Sequence, residues 1–327
     1  MPTKAAPNLI DPRYESLPPP PQPKEDLTSR LDGVIILLSE GDVYLAKACC
    51  ASIRQSMGNI PITLLVDGPE VNTSELEKLP NVKRMVAQEV AGADCQRLVT
   101  GIWVKILAFW MSPYDRYLYL DSDTLVWGDM REYAKLDKFD FIAGYRFSSE
   151  VKLQTPEEVH QRAFDFKVVQ KMDPDLKWQG QEFANAGVYF ARKNVFAREE
   201  LLKFREMDCW RACDNGLQNY LRWRAVAKGM PRTGGYKVQL MPANPTVPPE
   251  DRFLSRDCRQ PVVIHWVTDK PKLGRRYQAA DDYRRLFLKM IGKTTWLNTR
   301  LFFEDLAVWF GRQKRSLFRQ TKRSDLK

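Results

Sequence analysis

Apolar and polar positions along the chain alternate in blocks that read as strand, break and helix. Val34 to Leu38 is a short apolar, β-branched run fit for a buried parallel strand. A polar break from Ser39 to Asp42 leads into a stretch from Tyr44 to Met57 that predicts a helix. Ile62 to Val66 predicts a second strand, closed by the turn Asp67-Gly68-Pro69. The rhythm continues with a strand over Val82 to Val86, a helix over Val99 to Met111 ending before Pro113, and a strand over Arg116 to Leu120. Further strands are predicted at Phe141 to Gly144, Val188 to Phe190 and Val262 to Ile264, with a helix over Val195 to Cys209. Tyr145 to Gln181 is long, polar and poorly periodic. Amphipathic basic helices run from about Asp281 onward. Strand, helix and strand in short succession is the βαβ unit. Its repetition predicts an α/β fold with a mostly parallel, Rossmann-like sheet flanked by helices.

The ends differ from this pattern. Residues 1–30 hold eight prolines and read as an extended or disordered lead, with Pro18 to Pro21 favouring polyproline II. This lead has no apolar stretch of the signal-peptide kind, and no apolar run anywhere is long enough to span a bilayer, so an intracellular protein is expected. The formal net charge is +10, but it is unevenly placed. From Arg312 to Lys327 seven Lys or Arg face the single acid Asp325, which supplies +6 of that total. The remainder is only mildly basic, so no nucleic-acid partner is expected. The cysteines Cys49, Cys50, Cys95, Cys209, Cys213 and Cys258 form no C-x-x-C pair and read as reduced structural thiols.

One segment carries chemistry. The strand ending at Leu120 runs straight into Asp121-Ser122-Asp123. Ligands of open α/β sheets bind beyond the carboxyl ends of strands, so two acids there face the binding crevice. A hard divalent cation takes such carboxylates together with phosphate oxygens. Asp-x-Asp alone is a common turn tripeptide; its place after an apolar strand gives it weight.

The stretch from Lys105 to Trp110 and from Tyr117 to Val126 resembles the central motif of the family 8 glycosyltransferases, to which glycogenin and the bacterial lipooligosaccharide galactosyltransferases belong. Four more segments resemble family motifs in the same order: Ser39 to Tyr44, Phe183 to Phe190, Cys213 to Asn219, and Ile264-His265-Trp266 with Lys270-Pro271. The resemblance spans residues 33–275 and implies a GT-A fold over 31–280, followed by the basic helices of 281–327.

That resemblance implies a retaining hexosyltransferase using a UDP-sugar donor with Mn2+, or alternatively Mg2+. Asp121, Asp123 and His265 would hold the metal, with Asp123 also near the ribose. Lys105 and Lys270 would contact the diphosphate. Ser39 belongs to the loop that holds the uracil, and Tyr44 would stack on that base. Asn185, Asp214 and Asn215 would face the sugar and the reacting centre. The chain departs from the family at Asn215, where Gln is usual, and after Phe141 to Gly144, where Tyr145-Arg146-Phe147 replaces a sugar-binding Asp; Asp165 is a candidate substitute. The acceptor is expected to be a glycan or a lipid-linked sugar. Trp296, Phe302, Phe303, Trp309, Phe310 and Phe318 among the cations of the C-terminal stretch fit an anionic membrane surface, at the inner face of a membrane. Two other readings compete. A nucleotidyltransferase needs a Gly-rich loop after the first strand, where this chain has only Gly41 among acids. A scaffold or nucleic-acid protein using the tail would not need Asp121, Asp123 and His265 to converge.

Overall fold

The computed structural model describes residues 17, 19–21, 27, 30–93, 96, 100–146, 152–207, 209–210, 213–241, 260–267, 270–271 and 277–324. Most of residues 1–30, Cys95, Cys258 and the side chains of the basic run from Arg312 to Lys327 fall outside these. Nine strands are described: β1 Gly33–Leu38, β2 Ile62–Val66, β3 Val82–Val86, β4 Arg116–Asp121, β5 Thr124–Trp127, β6 Phe141–Arg146, β7 Val188–Arg192, β8 Thr233–Leu240 and β9 Val262–His265. The helices are α1 Val43–Met57, α2 Ala87–Ala91, α3 Ala108–Met111, α4 Pro156–Arg162, α5 Phe166–Met172, α6 Arg198–Glu206, α7 Cys213–Lys228, α8 Gln278–Met290 and α9 Leu297–Ser324.

All nine strands join one sheet in the order β3-β2-β1-β4-β7-β6-β8-β9-β5. Pairing is parallel from β3 through β4 and again from β6 through β9, and antiparallel at β7 and β5. The sheet is thus the expected mostly parallel one. Its residues alternate between two apolar layers, as a strand buried on both faces requires. Val34, Ile36, Leu64, Leu118, Leu120 and Phe190 point to the layer under α1 and α8. Ile35, Leu65, Tyr117, Tyr119, Phe141 and Tyr189 point to the layer under α3, α6 and α7. The order reverses at β1: β2 and β3 lie to one side and β4 to the other. That is the switch point where such sheets open a crevice.

Several expected elements take different form. Val99 to Met111 is not one α-helix; a 3-10 segment, Gly101–Leu107, precedes the single turn α3. Ile102, Val104 and Ile106 are β-branched, which weakens α-helix there. The helix expected over Val195 to Cys209 is confined to α6. The stretch thought aperiodic holds α4 and α5. Thr155 and Glu158 form a capping box with Pro156 in the first turn of α4, and Asp165 caps α5. Asp165 is therefore a helix cap. From the lead, Leu17 packs against the core, and Pro20 and Leu27 are buried. The last two helices are not a detached tail: Ala280, Phe287 and Leu288 of α8 and Leu301 of α9 belong to the main core. Cys49, Cys50 and Cys209 are free and buried.

Candidate active site

The crevice at the switch point is a cleft of about 340 Å3. Ser39, Lys105, Asp121, Asp123, Asn185, Asp214, Asn215, His265 and Lys270 all line it. Five separated sequence segments therefore meet in one place.

Sheet register brings the acids and the histidine together. β1 pairs with β4 so that Leu37 lies opposite Asp121. The chain then turns through Ser122, closed by Thr124 Oγ1 donating to the Asp121 carbonyl at 2.8 Å. It re-enters the sheet as β5, whose Thr124 pairs with His265 of β9. The Trp266 amide donates to the Asp123 carbonyl at 3.1 Å, which sets His265 beside Asp123. One ligand atom from each of Asp121, Asp123 and His265 lies within 4.8 Å of the others.

This donor set fits a divalent cation. Two carboxylates and an imidazole suit Mn2+ and its neighbours, and the residues behind them hold the ligands in place. Gln239 Nε2 donates to the Gly144 carbonyl at 2.7 Å. Its Oε1 therefore accepts from His265 Nδ1 at 3.0 Å, which fixes the proton on Nδ1 and leaves Nε2 to bind. The Tyr119 hydroxyl donates to Asp121 Oδ1 at 3.1 Å. Burial, then the Asp121 charge, push this phenol well up, so it stays a donor. Gly187 supplies the needed clearance: a methyl group there would overlap His265 Cε1 and press on Asp121 Oδ2. If the triad holds a divalent cation, Gln239→Leu is expected to weaken its binding by roughly 10- to 100-fold with the fold retained. Titration calorimetry with Mn2+ checks it, and unchanged affinity would remove Gln239 from the site.

Two lysines balance the acids. Lys105 Nζ bridges Asp121 Oδ2 at 3.0 Å and Asp214 Oδ2 at 2.6 Å. Lys270 Nζ bridges Asp123 Oδ2 and Asp42 Oδ2 at 3.1 Å each. Burial alone would lower both ammonium groups; the paired carboxylates outweigh it and raise them, so both stay charged. Burial likewise pushes the Asp123 carboxyl up, but His265 and Lys270 hold it well below the usual carboxylate range.

The two asparagines serve the backbone. Asn185 Oδ1 accepts from the Gly187 amide at 2.8 Å, and Asn215 Oδ1 accepts from the Ala186 amide at 2.6 Å. Asn219 brackets Ala184 through both its amide and carbonyl, at 2.9 and 2.7 Å. Helix α7 thereby pins the turn that carries Gly187, and Asp214 at its start faces Lys105. Tyr44 is the expected site residue that lies outside the cleft lining. Its ring is 2% exposed and sits under the Arg284 guanidinium, and its hydroxyl donates to the Pro271 carbonyl. Tyr44 thereby braces the Lys270 loop through its hydroxyl. Gln239, Asn219 and Tyr119 were not singled out from sequence. Two of them had a visible signal: Tyr119 lies two residues before Asp121 on the same strand face, and Asn219 closes the motif segment that begins at Cys213.

No protein-family model matches this chain, and no curated protein matches it. Among solved structures it is similar to the bifunctional glycosyltransferase WbbM, with a TM-score of 0.50 and 16% identity over 82% of this chain and 50% of that one. It is also similar to the glycosyltransferase GlyE of Streptococcus pneumoniae TIGR4, with a TM-score of 0.50 and 14% identity over 82% of this chain and 63% of that one. This chain thus spans half to two thirds of the length of those proteins. The likeness shows the fold: the chain has the GT-A fold of these glycosyltransferases, with a triad of possible metal ligands at its switch point.

Proposed function

We propose that the protein is a metal-dependent retaining glycosyltransferase that moves a hexose from a UDP-sugar to a glycan or glycolipid acceptor. The observation that carries this reading is the convergence of Asp121, Asp123 and His265, with Lys105 and Lys270 beside them, at the switch point of a GT-A sheet. Asp121, Asp123 and His265 would hold Mn2+, which supplies Lewis-acid neutralisation of a leaving diphosphate when bound. Lys270 lies on the cleft wall with a full positive charge and suits a diphosphate oxygen. Ser39 and Asp42, at the end of β1, frame the nucleoside side. Lys105 fixes Asp214, which orients the donor sugar. Asn185 and Asn215 keep the turn behind the sugar rigid, so that orientation needs little reorganisation.

A panel of nucleotide sugars tests the reading. Mn2+-dependent binding and slow hydrolysis of a UDP-sugar are expected, with weaker response to other nucleoside diphosphate sugars. Failure of every UDP-sugar to bind would overturn it.

Helix α9 offers a second surface. Its inward face carries Leu301, Glu304 and Asp305, whereas Phe302, Phe303, Trp309 and Phe310 are exposed. Among the described residues no helix is long and apolar enough to cross a membrane. An aromatic stripe leading into a basic run instead fits the surface of an anionic bilayer, at about 1 kcal/mol per basic residue near the lipid. Co-sedimentation with phosphatidylserine vesicles is expected and should fall as salt rises. Equal binding to neutral vesicles, or none, would sink the surface assignment.

A further inference from the structure

The C-terminal helix reaches the cleft from behind. Helix α9 packs against the 3-10 turn Glu40–Asp42, whose Asp42 lines the cleft and accepts from Lys270. Beneath α9 lies Arg284 of α8, itself 2% exposed. Arg284 pairs with Glu304 and lies 2.8 Å from Asp305, both on α9. Its guanidinium carbon is 5.3 Å from the centre of the Tyr44 ring. Tyr44 donates to the carbonyl of buried Pro271. The neighbouring Lys270 then spans Asp42 and Asp123. The contacts form one unbroken run: α9, Arg284, Tyr44, Pro271, Lys270, Asp123. A lysine side chain is flexible, and its reach is decided by where its backbone is held. Among the described residues, the Tyr44 hydroxyl anchors that backbone at the Pro271 carbonyl, and the ring of Pro271 fixes its φ.

From this geometry we infer that Tyr44 is a positioning residue for Lys270, and that the seat of α9, passed on through Arg284, sets how firmly Lys270 holds an anionic diphosphate. The inference rests on the reading of the cleft as a nucleoside diphosphate site. The Tyr44 hydroxyl is turned to the Pro271 carbonyl, so its effect on a ligand passes through the loop. Glu304 is farther still, on the helix that also presents the exposed aromatic face. A surface that shifts α9 would therefore be felt at Lys270.

Four variants of the full chain test this: Tyr44→Phe, Glu304→Gln, Lys270→Ala, and the Tyr44→Phe/Lys270→Ala double. Two quantities are measured: UDP affinity with Mn2+ by calorimetry, and the acetylation rate of the Lys270 amine without nucleotide, by mass spectrometry. Tyr44→Phe is expected to weaken UDP binding about threefold to tenfold, the worth of one hydrogen bond, and to speed Lys270 acetylation. Glu304→Gln should shift both in the same direction. The double variant should bind UDP no more weakly than Lys270→Ala alone, because the hydroxyl acts only through that lysine. Buried Lys105, on the other wall of the cleft, is the internal control: its labelling should stay slow, whereas general loosening would speed it too. Wild-type affinity and labelling in Tyr44→Phe, or additive losses in the double variant, would overturn the inference. A silent Glu304→Gln would remove α9 from the run. If wild type binds no UDP, the diphosphate reading fails, and the labelling rates alone decide whether Tyr44 and α9 position Lys270.

Discussion

Asp123→Asn is expected to cut Mn2+-dependent turnover of a UDP-sugar by about 10³-fold, the scale of losing one preorganised electrostatic group at a reacting centre. The substitution keeps the shape of the side chain and removes its charge. Asp123 is 5% exposed, with His265 Nε2 at 3.3 Å and Lys270 Nζ at 3.1 Å. A neutral amide there offers one weaker oxygen to a cation and turns a donor toward His265. Stability should change little, by about 1 kcal/mol, because the side chain keeps its shape and Lys270 keeps Asp42. Initial rates of UDP-sugar hydrolysis with and without Mn2+, beside a thermal melt, separate the two effects. A rate within tenfold of wild type would show that Asp123 is not a metal ligand. A collapse of the melt would show that the pair serves the fold.

Much of this site was legible before any coordinates, and for a physical reason. A buried strand announces itself by β-branched apolar residues, and the residues just beyond its end must face the crevice. That argument located Asp121 and Asp123 after β4 and depends only on chain-local pattern. Ser39 and His265 were singled out by the motif resemblance, and the structure places them after β1 and at the end of β9. The parts still missed depend on pairing. β5 is four residues long, and β8 contains Gly234 and Gly235, so neither gave a clear periodic signal. Without β8 there was no reason to single out Gln239, although its side chain fixes the tautomer of His265. The surroundings of Tyr44 were likewise out of reach. Its position in a motif implied a base-stacking role, and nothing local announces that Arg284 of α8 lies over its ring, because that is set by tertiary packing. The Asn-rich segment also changed meaning. Asn185 and Asn215 remain at the cleft, yet their carbonyl oxygens are engaged by backbone amides, so their effect on a sugar runs through the rigidity of the Gly187 turn.

The buried cation that joins the last two helices to the domain should matter as much for stability as Asp123 does for turnover. Arg284→Met fills a similar volume but leaves Asp281, Glu304 and Asp305 facing an apolar thioether. Two of those acids are 5% and 3% exposed. Removing one partner of a buried ion cluster costs about 3–5 kcal/mol at neutral pH, since the remaining charges stay desolvated. The sign of the pH dependence follows from Glu304. Burial pushes its carboxyl up, but Arg284 and Lys47 outweigh that and hold it below the usual value. A depressed carboxylate stabilises the fold above its unfolded pKa, and that contribution is lost as pH falls through the folded pKa. In Arg284→Met only Lys47 still faces Glu304, so burial counts for more, its carboxyl moves up, and its protonation relieves the native state sooner as pH falls. The stability gap between wild type and variant should therefore be widest near pH 7 and narrow as pH falls toward 4. Glu75 serves as a reference. Burial raises its carboxyl, but Lys293 and Lys47 hold it at about 2, and neither lysine is altered in the variant. Its share of the acid transition, below about pH 4.5, should be common to both proteins. Urea melts at pH 7, 5.5 and 4 measure the gap. A gap that is absent at pH 7, or constant across the series, would mean that α9 is seated by Leu301 and its apolar neighbours, with the ion cluster contributing orientation only.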